Sequence, residues 1–291
     1  MAVDPAKVKE LREKTGLPMM DCKRALEKTE GDVEKAFEEL RKSGMKAQEK
    51  LAGRTASQGR VGSYVSPDGK VGVLVALRCE TEPVGQNENF QKFLADIVGL
   101  VARENPRDAA ALSNLKLPSG ETVSQGLTEL VNRIRENIML GRFARFEADA
   151  VSQYVHFDQK KAAMVALQSG KASDPKVAEL GKDLCMHVVF QSQLASSAPK
   201  SISRSGIPQE IIAKEREVIL ATAKNDPKNA KKPPEILEKI IQGQVDKFVA
   251  SQTLLEQPSI RDASITVEEQ VKRSGTGVTI KDFVYIATDQ G

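Results

Sequence analysis

The residue types that most often carry out chemistry are few in this chain, and their spacing fits no common reaction. The 291-residue sequence has two histidines and three cysteines. His156 falls in a predicted turn and His187 in an apolar helical pattern, and neither has a Cys or Ser at nucleophile spacing. Cys22, Cys79 and Cys185 are widely separated and odd in number, which fits neither a disulfide framework nor a zinc site. We therefore expect no catalytic residue, no metal and no cofactor.

Motifs that cradle phosphates are also missing from the sequence. Neither GxxxxGK[ST] nor a GxGxxG that opens a helix after a strand occurs. An enzyme is therefore the function class we favour least, and the sequence points to binding surfaces instead. One candidate surface is "RCETEPVGQNENF" (78–90), because it connects a predicted strand to a predicted helix. Loops in that position often carry functional residues on a stiff scaffold.

Composition limits the compartment and the partners. The 43 basic and 40 acidic residues leave a net charge of +3, whereas a dedicated nucleic-acid binder needs a concentrated basic face. The start of the chain has no apolar core of a signal peptide, and no run approaches about 18 apolar residues. The cysteine usage is typical of a reducing compartment. We predict a cytoplasmic protein that contacts neither a membrane nor, directly, nucleic acid.

The first part of the chain, residues 5–42, predicts three short helices. Gly16 can end the first helix in the left-handed conformation, and Pro18 suits the start of the second. Asp32 is a good N-cap for the third helix. The polar, small residues that follow, 45–58, predict a linker, so a unit of about 40 residues would fold on its own.

A repeat dominates the middle of the chain. "GSYVSPDGKVGVLVALRC" (62–79) aligns without a gap to "SQYVHFDQKKAAMVALQS" (152–169), with seven identical positions. Each copy reads as two strands around a turn, and a helical pattern follows each, at 88–103 in the first. We predict an α+β fold whose duplicated core has two small antiparallel sheets with helices on one face.

An insertion at 207–257 separates the second copy from a predicted final strand at 277–287. Two apolar helical patterns flank the polar, proline-containing "KNDPKNAKKPP", which predicts an antiparallel helical hairpin. Its tip could bind RNA, although an exposed charge run is usually only solvated; the lysines are Lys224, Lys228, Lys231 and Lys232.

The predicted domains are a three-helix module (1–44), a linker (45–58), a first core subdomain (59–140), a second (141–206 with 258–291) and the hairpin (207–257).

Three stretches resemble the bacterial elongation factor Ts family. "TGLPMMDCKRAL" (15–26) matches the family's motif TGxxMMDCKxAL, and "MHVVF" (186–190) is similar to its MHVA. Residues 133–147 resemble its KIGENI stretch, with Arg135 where the family prefers glycine. The resemblance implies a ubiquitin-associated-like (UBA-like) N-terminal module and a coiled-coil protrusion at the hairpin. It further implies a translation factor that exchanges guanine nucleotide on elongation factor Tu without covalent chemistry.

The resemblance also implies contact residues. Met19, Met20 and Asp21 would lie against the partner's nucleotide-binding domain, and His156 against another partner domain. The family's TDFV motif inserts an Asp-Phe pair beside the partner's Mg²⁺ and helps to displace the ion. The residues at that place in this chain are Thr81, Glu82, Pro83 and Val84.

Several alternatives stay open at this point. Because Glu82 and Pro83 replace Asp and Phe, the chain could be a paralogue that holds a GTPase as a chaperone or sequestering partner and exchanges nucleotide weakly. Core packing is the alternative for Met19 and Met20, but two adjacent helical residues cannot both point into a small core. A dimer of two heterodimers with the GTPase is a further open assembly.

Overall fold

The computed structural model describes residues 3–194, 198–225 and 232–290, and within them the predicted α+β fold is confirmed. Two three-stranded antiparallel sheets have the strand orders β1-β2-β3 and β4-β5-β6. The strands are β1 (Gln58–Val65), β2 (Val71–Cys79), β3 (Met139–Glu147), β4 (Ala150–Val155), β5 (Lys161–Gln168) and β6 (Thr279–Ala287). The helices are α1 (Pro5–Thr15), α2 (Met19–Lys28), α3 (Val33–Leu51), α4 (Glu82–Gly85), α5 (Glu88–Glu104), α6 (Ala109–Asn114), α7 (Val123–Ile134), α8 (Pro175–Leu194), α9 (Gln209–Asn225), α10 (Pro234–Gln252) and α11 (Val267–Arg273).

Gly16 and Asp32 mark the end of α1 and the start of α3, as the sequence predicts. Gly16, at φ 64°, ends α1 and donates its N–H to the Arg12 carbonyl oxygen. The Asp32 carboxylate caps α3 by accepting the Lys35 N–H at 3.0 Å. The three helices enclose their own small core, made of Val8, Leu11, Leu17, Cys22, Ala25, Leu26, Ala36 and Leu40.

The linker predicted at 45–58 is wrong for its first half, because α3 continues to Leu51. Its residues are mostly good helix formers, and Leu51 is buried in the core of the first sheet. Gly44 lies so close to α7 that a Cβ there would be 3.2 Å from the Asn132 side-chain nitrogen. Burial against the core therefore extends the helix across a stretch whose polarity alone indicates a loop.

The internal repeat is confirmed down to its strand register. Tyr64 pairs with Val73 in the first hairpin, and Tyr154 pairs with Ala163, each 90 residues later, in the second. The third strands also correspond: β3 pairs with β2 and β6 with β5, and each pair has a bulge near the same position. The duplicated unit is therefore larger than the sequence self-match. Residues 141–147, assigned to the second subdomain, pair in the first sheet.

The two sheets pack face to face through a shared apolar cluster, which includes Val61, Leu74, Ala76, Val151, Ala162, Met164 and Ile286. Reciprocal hydrogen bonds join the two repeats. The Val151 N–H donates to the Gly69 oxygen, and the Val61 N–H donates to the Gln159 oxygen, both at 2.7 Å. Each hairpin turn thus holds the first strand of the other repeat, while the opposite sheet faces pack on helices.

The insertion forms the predicted helical hairpin from α9 and α10. Ile219, Ile241, Val245 and Val249 are buried between the helices. The predicted apolar stripe of α9 is only partly correct, because Ile211 is 40% and Val218 54% exposed.

Of the four lysines predicted for the tip of the hairpin, Lys228 and Lys231 lie outside the described residues. Lys224 and Lys232 lie within them, at the two described ends of the tip. In the described part of the chain no helix is long and apolar enough to cross a membrane.

Candidate partner-binding site

The segment Thr81–Val84 leaves the end of β2 and forms a single helical turn, α4. Pro83 is tolerated there, because the first turn of a helix needs no N–H from that residue. Thr81 donates its backbone N–H and its hydroxyl to the Glu136 carboxylate, at 3.0 and 2.6 Å. Thr81 and Pro83 are exposed, whereas Val84 packs on the first core. The segment is therefore a fixed turn at the surface.

The Glu82 carboxylate is held by two cations of the same chain. Its Oε1 lies 2.5 Å from Nη2 of Arg60 and its Oε2 lies 2.7 Å from Nζ of Lys160. Hydrogen bonds from Arg60 and then Lys160 lower the pKa of Glu82 to about 2. The Arg60 side chain is only 6% exposed, so Glu82 compensates a buried charge. The carboxylate is therefore occupied within the chain.

His156 begins the turn between β4 and β5, and this turn lies beside α4. The Lys160 that contacts Glu82 belongs to the same turn. The His156 Nδ1 lies 3.3 Å from the Tyr154 hydroxyl, and its ring centroid lies 4.5 Å from that of Phe157. The structure thus brings together two of the sites implied by the resemblance, the Thr81–Val84 turn and the His156 turn.

Met19 and Met20 are both exposed at the start of α2, by 53% and 60%. The buried face of α2 is formed by Cys22, Ala25 and Leu26 instead. Core packing therefore does not account for either methionine. Two adjacent thioethers leave a flexible apolar patch on the surface of the N-terminal helices.

Asp21 lies at the junction with the core and is largely covered. Its carboxylate accepts from Arg24 at 2.6 Å and from Arg135 at 2.8 Å, and its side chain is 20% exposed. Arg135 ends α7 at φ 67°, a left-handed conformation that favours glycine. The departure from glycine at this position thus supplies a cation that ties the N-terminal helices to the core.

Sequence reasoning missed Arg60 and Lys160 as part of this site. Arg60 stands within "GRVGSYV", an otherwise apolar or small strand pattern, and such a lone cation in a buried strand needs an anionic partner. The sequence therefore indicates that Arg60 pairs with an acidic side chain, but which acidic residue it pairs with depends on the fold. Lys160 carries no signal in its local sequence.

His187 and Cys79 belong to residue types that often act as base or nucleophile, and both are buried. The His187 Nε2 lies 2.9 Å from the Gln257 side-chain oxygen, and burial lowers the pKa of His187. Burial likewise raises the pKa of the Cys79 thiol to about 11. Among the described residues no group of three or more His, Cys, Asp or Glu side chains is placed to hold a metal.

A cavity of about 110 Å³ lies between α3 and α7 where the N-terminal helices meet the core. Glu129 of α7 lines it, together with apolar atoms of Leu17, Phe37 and Leu40. Burial, and then a hydrogen bond to the Glu121 carboxyl, raises the pKa of Glu129 to about 7. Arg133 and Arg41 oppose this shift only in part.

We expect Glu129→Gln to stabilise the protein at pH 8 and to change little at pH 4.5. The folded state holds a proton on Glu129 that the unfolded state releases above pH 4.5, so stability falls as the pH rises from about 4.5 to about 7. Glutamine does not ionise and so avoids this loss. We expect it to raise the free energy of unfolding at pH 8 by roughly 1 kcal/mol, after allowance for partial exposure of the site. Urea unfolding at both pH values measures it, with the exposed Glu104→Gln as control. A variant less stable than wild type at pH 8 would contradict the expectation.

The chain is similar to known proteins over almost its whole length. The family model described as Elongation factor TS matches residues 80–290. Elongation factor Ts of Azoarcus sp. (strain BH72) is 43% identical over 286 residues, covering 98% of this chain and 90% of the relative. That of Hahella chejuensis (strain KCTC 2396) is 41% identical over 278 residues, covering 95% and 89%.

The relatives also match the N-terminal helices, which the family model does not reach. Elongation factor Ts of Clostridium perfringens (strain SM101 / Type A) is 39% identical over 290 residues, covering 98% of this chain and 92% of the relative. The exposed methionine pair, the duplicated core and the helical hairpin all lie within that match. The chain therefore belongs to the elongation factor Ts family of translation elongation factors.

Proposed function

We propose that this chain binds a GTPase of the elongation factor Tu type and accelerates release of its bound GDP. The observation that carries the proposal is the near full-length similarity to proteins named elongation factor Ts. Exchange of this kind needs binding energy and no covalent step. A factor that binds the nucleotide-free GTPase more tightly than the GDP-bound form must lower the affinity of the GTPase for GDP by the same factor.

The contacts we propose form two groups on the surface. Met19 and Met20 of α2 bind the nucleotide-binding domain, with Asp21 holding α2 on the core through Arg135. His156 binds a second domain of the partner. A rigid body that contacts two partner domains at once can change their relative position, which is how exchange would reach the nucleotide pocket.

The Thr81–Val84 turn is the part we propose to enter the partner's Mg²⁺ region and to promote loss of the ion. Glu82 is already paired with Arg60 and Lys160, so its carboxylate supports the shape of the turn. The exposed Thr81 and Pro83 then make the contact. The turn acts as a fixed wedge, since its backbone is held by Glu136.

The proposal is tested by the release of fluorescent GDP from the GTPase, with and without this protein, in a stopped-flow instrument. We expect release to accelerate with factor concentration and then to saturate. The same factor should bind the nucleotide-free GTPase at least about 10-fold more tightly than the GDP-bound form, because the coupling is reciprocal. Equal affinity for the two forms would contradict an exchange mechanism.

A second candidate is a binder that holds the GTPase as a chaperone or sequestering partner and exchanges nucleotide weakly. The occupied carboxylate of Glu82 and the missing aromatic ring at Pro83 favour it. In that case the factor would bind the nucleotide-free GTPase tightly but accelerate GDP release only slightly. Light scattering of the mixture would also show whether two heterodimers associate.

A further inference from the structure

Phe157 is the most exposed large apolar side chain in the described part of the chain. It is 87% exposed, whereas Phe190, also on the surface, is 48% exposed. The chain has nine phenylalanines and no tryptophan, so large aromatic side chains are few and one that is exposed to water is unusual in this protein. Single exposed apolar residues are common, however, and exposure alone assigns no role.

The internal repeat shows that the turn itself does not need Phe157. The His156 N–H donates to the Lys161 oxygen and the Gln159 N–H to the His156 oxygen, both at 2.8 Å. The same two bonds, also 2.8 Å, occur 90 residues earlier in the first hairpin. Pro67 stands there in the place of Phe157. The backbone of the turn therefore forms with either residue, so these two hydrogen bonds do not require the ring.

The turn is anchored to the first repeat, which makes it a stiff support for the ring. Lys160 Nζ lies 2.7 Å from the Glu82 carboxylate and donates to the Gln58 side chain at 2.6 Å. The Gln159 oxygen accepts the Val61 N–H at 2.7 Å. The turn is therefore already ordered in the free protein, so binding of a partner costs little conformational entropy.

We propose that Phe157 is an aromatic anchor with which this chain binds the GTPase, in an apolar pocket next to the surface contacted by the Thr81–Val84 turn. This inference rests on the proposed function. His156 supports one side of the ring at a centroid distance of 4.5 Å. Aromatic side chains, phenylalanine among them, are enriched at the centre of protein interfaces.

The surrounding charges favour a protein pocket over nucleic acid. Asp158 follows the ring directly, and the Lys160 cation is already paired with Glu82. A single-stranded nucleic-acid site would combine stacking rings with uncompensated basic groups along the backbone.

The test is the affinity of Phe157→Ala for the nucleotide-free GTPase, measured by surface plasmon resonance. We expect affinity about 10- to 100-fold weaker, mostly through faster dissociation, with an unchanged melting temperature because the ring is exposed. Phe190→Ala is the matched control on α8 and should bind as wild type. Phe157→Leu should fall between wild type and alanine.

Lys160→Met tests the positioning of the turn in a double-mutant cycle. Alone it should weaken binding by about 5-fold, and in the Phe157→Ala background it should add little, because both changes act on one contact. If Lys160 has a purely structural role, the two losses of affinity should instead be additive. That result would contradict the claim that Lys160 positions the turn that carries Phe157.

The remaining outcomes separate the inference from the proposed function. Wild-type affinity of Phe157→Ala, with exchange intact, would overturn the inference and leave the proposed function standing. Loss of affinity for a single-stranded RNA oligonucleotide but not for the GTPase would also overturn it. A wild-type protein that does not bind the GTPase would overturn the proposed function and, with it, this inference.

Discussion

Replacing Met19 and Met20 together by alanine is expected to weaken binding of the GTPase by about 100-fold without lowering the melting temperature. Both side chains are more than half exposed, so their removal leaves no cavity in the small core of the N-terminal helices. Burial of a methionine side chain in an interface contributes about 1.5–3 kcal/mol, which makes the pair one of the largest losses available on this surface. Titration of the nucleotide-free GTPase by calorimetry measures the affinity, and differential scanning calorimetry the stability.

Met45→Ala is the control for this pair, because Met45 is 59% exposed on α3 but lies outside the contact motif. It should bind the GTPase as wild type does. If the double variant melts early and still binds normally, the methionines serve packing, and the partner contact must lie elsewhere on the N-terminal helices.

Replacing Glu82 by alanine is expected to cost about 2 kcal/mol of stability and to slow GDP release at saturating factor. The change leaves the Arg60 guanidinium, whose side chain is 6% exposed, without its anionic partner. Breaking a fully buried pair costs about 3–5 kcal/mol. We expect less here, because the Glu82 side chain is 42% exposed and water screens part of the interaction. Urea unfolding at pH 7 and stopped-flow GDP release measure the two effects.

The pH dependence identifies the charge as the cause. Because the folded pKa of Glu82 is lowered from 4.5 to about 2, its stabilising effect is present above pH 4.5 and is lost as the pH falls towards 2. The stability difference between wild type and Glu82→Gln should therefore shrink across that range. Glu147→Gln is the control, since Glu147 pairs with Arg145 but is 66% exposed. A Glu82→Gln difference that does not depend on pH would show that packing, and not charge, matters at this residue.

These two variants also separate the two candidate functions. An exchange factor needs both the methionine patch and the fixed turn for GDP release, whereas a sequestering partner needs only the patch for binding. Slow release with unchanged affinity after Glu82→Ala would place the turn in the exchange step. Unchanged release would leave the other contacts as the source of exchange.

Local signals in the sequence determined the elements of this protein well. Gly16 and Asp32 mark helix ends because a left-handed residue and a side-chain cap are requirements of a few neighbouring residues. The two hairpins follow from a strand period on either side of a turn, and the repeat places them 90 residues apart. Each of these features is decided within about twenty residues of chain, so a single sequence is enough to predict it.

Contacts between distant elements, by contrast, were decided only by the tertiary structure. The third strands share little sequence beyond Phe143 and Phe283, so their pairing needed the sheets to form. The helical state of residues 45–51 depends on burial of Leu51 in a core made by other segments. Arg60 reaches Glu82 because β1 pairs with β2, and Lys160 reaches it only because the second repeat packs on the first. Contacts between residues distant in sequence leave no local period, and the fold must exist before their charges can meet.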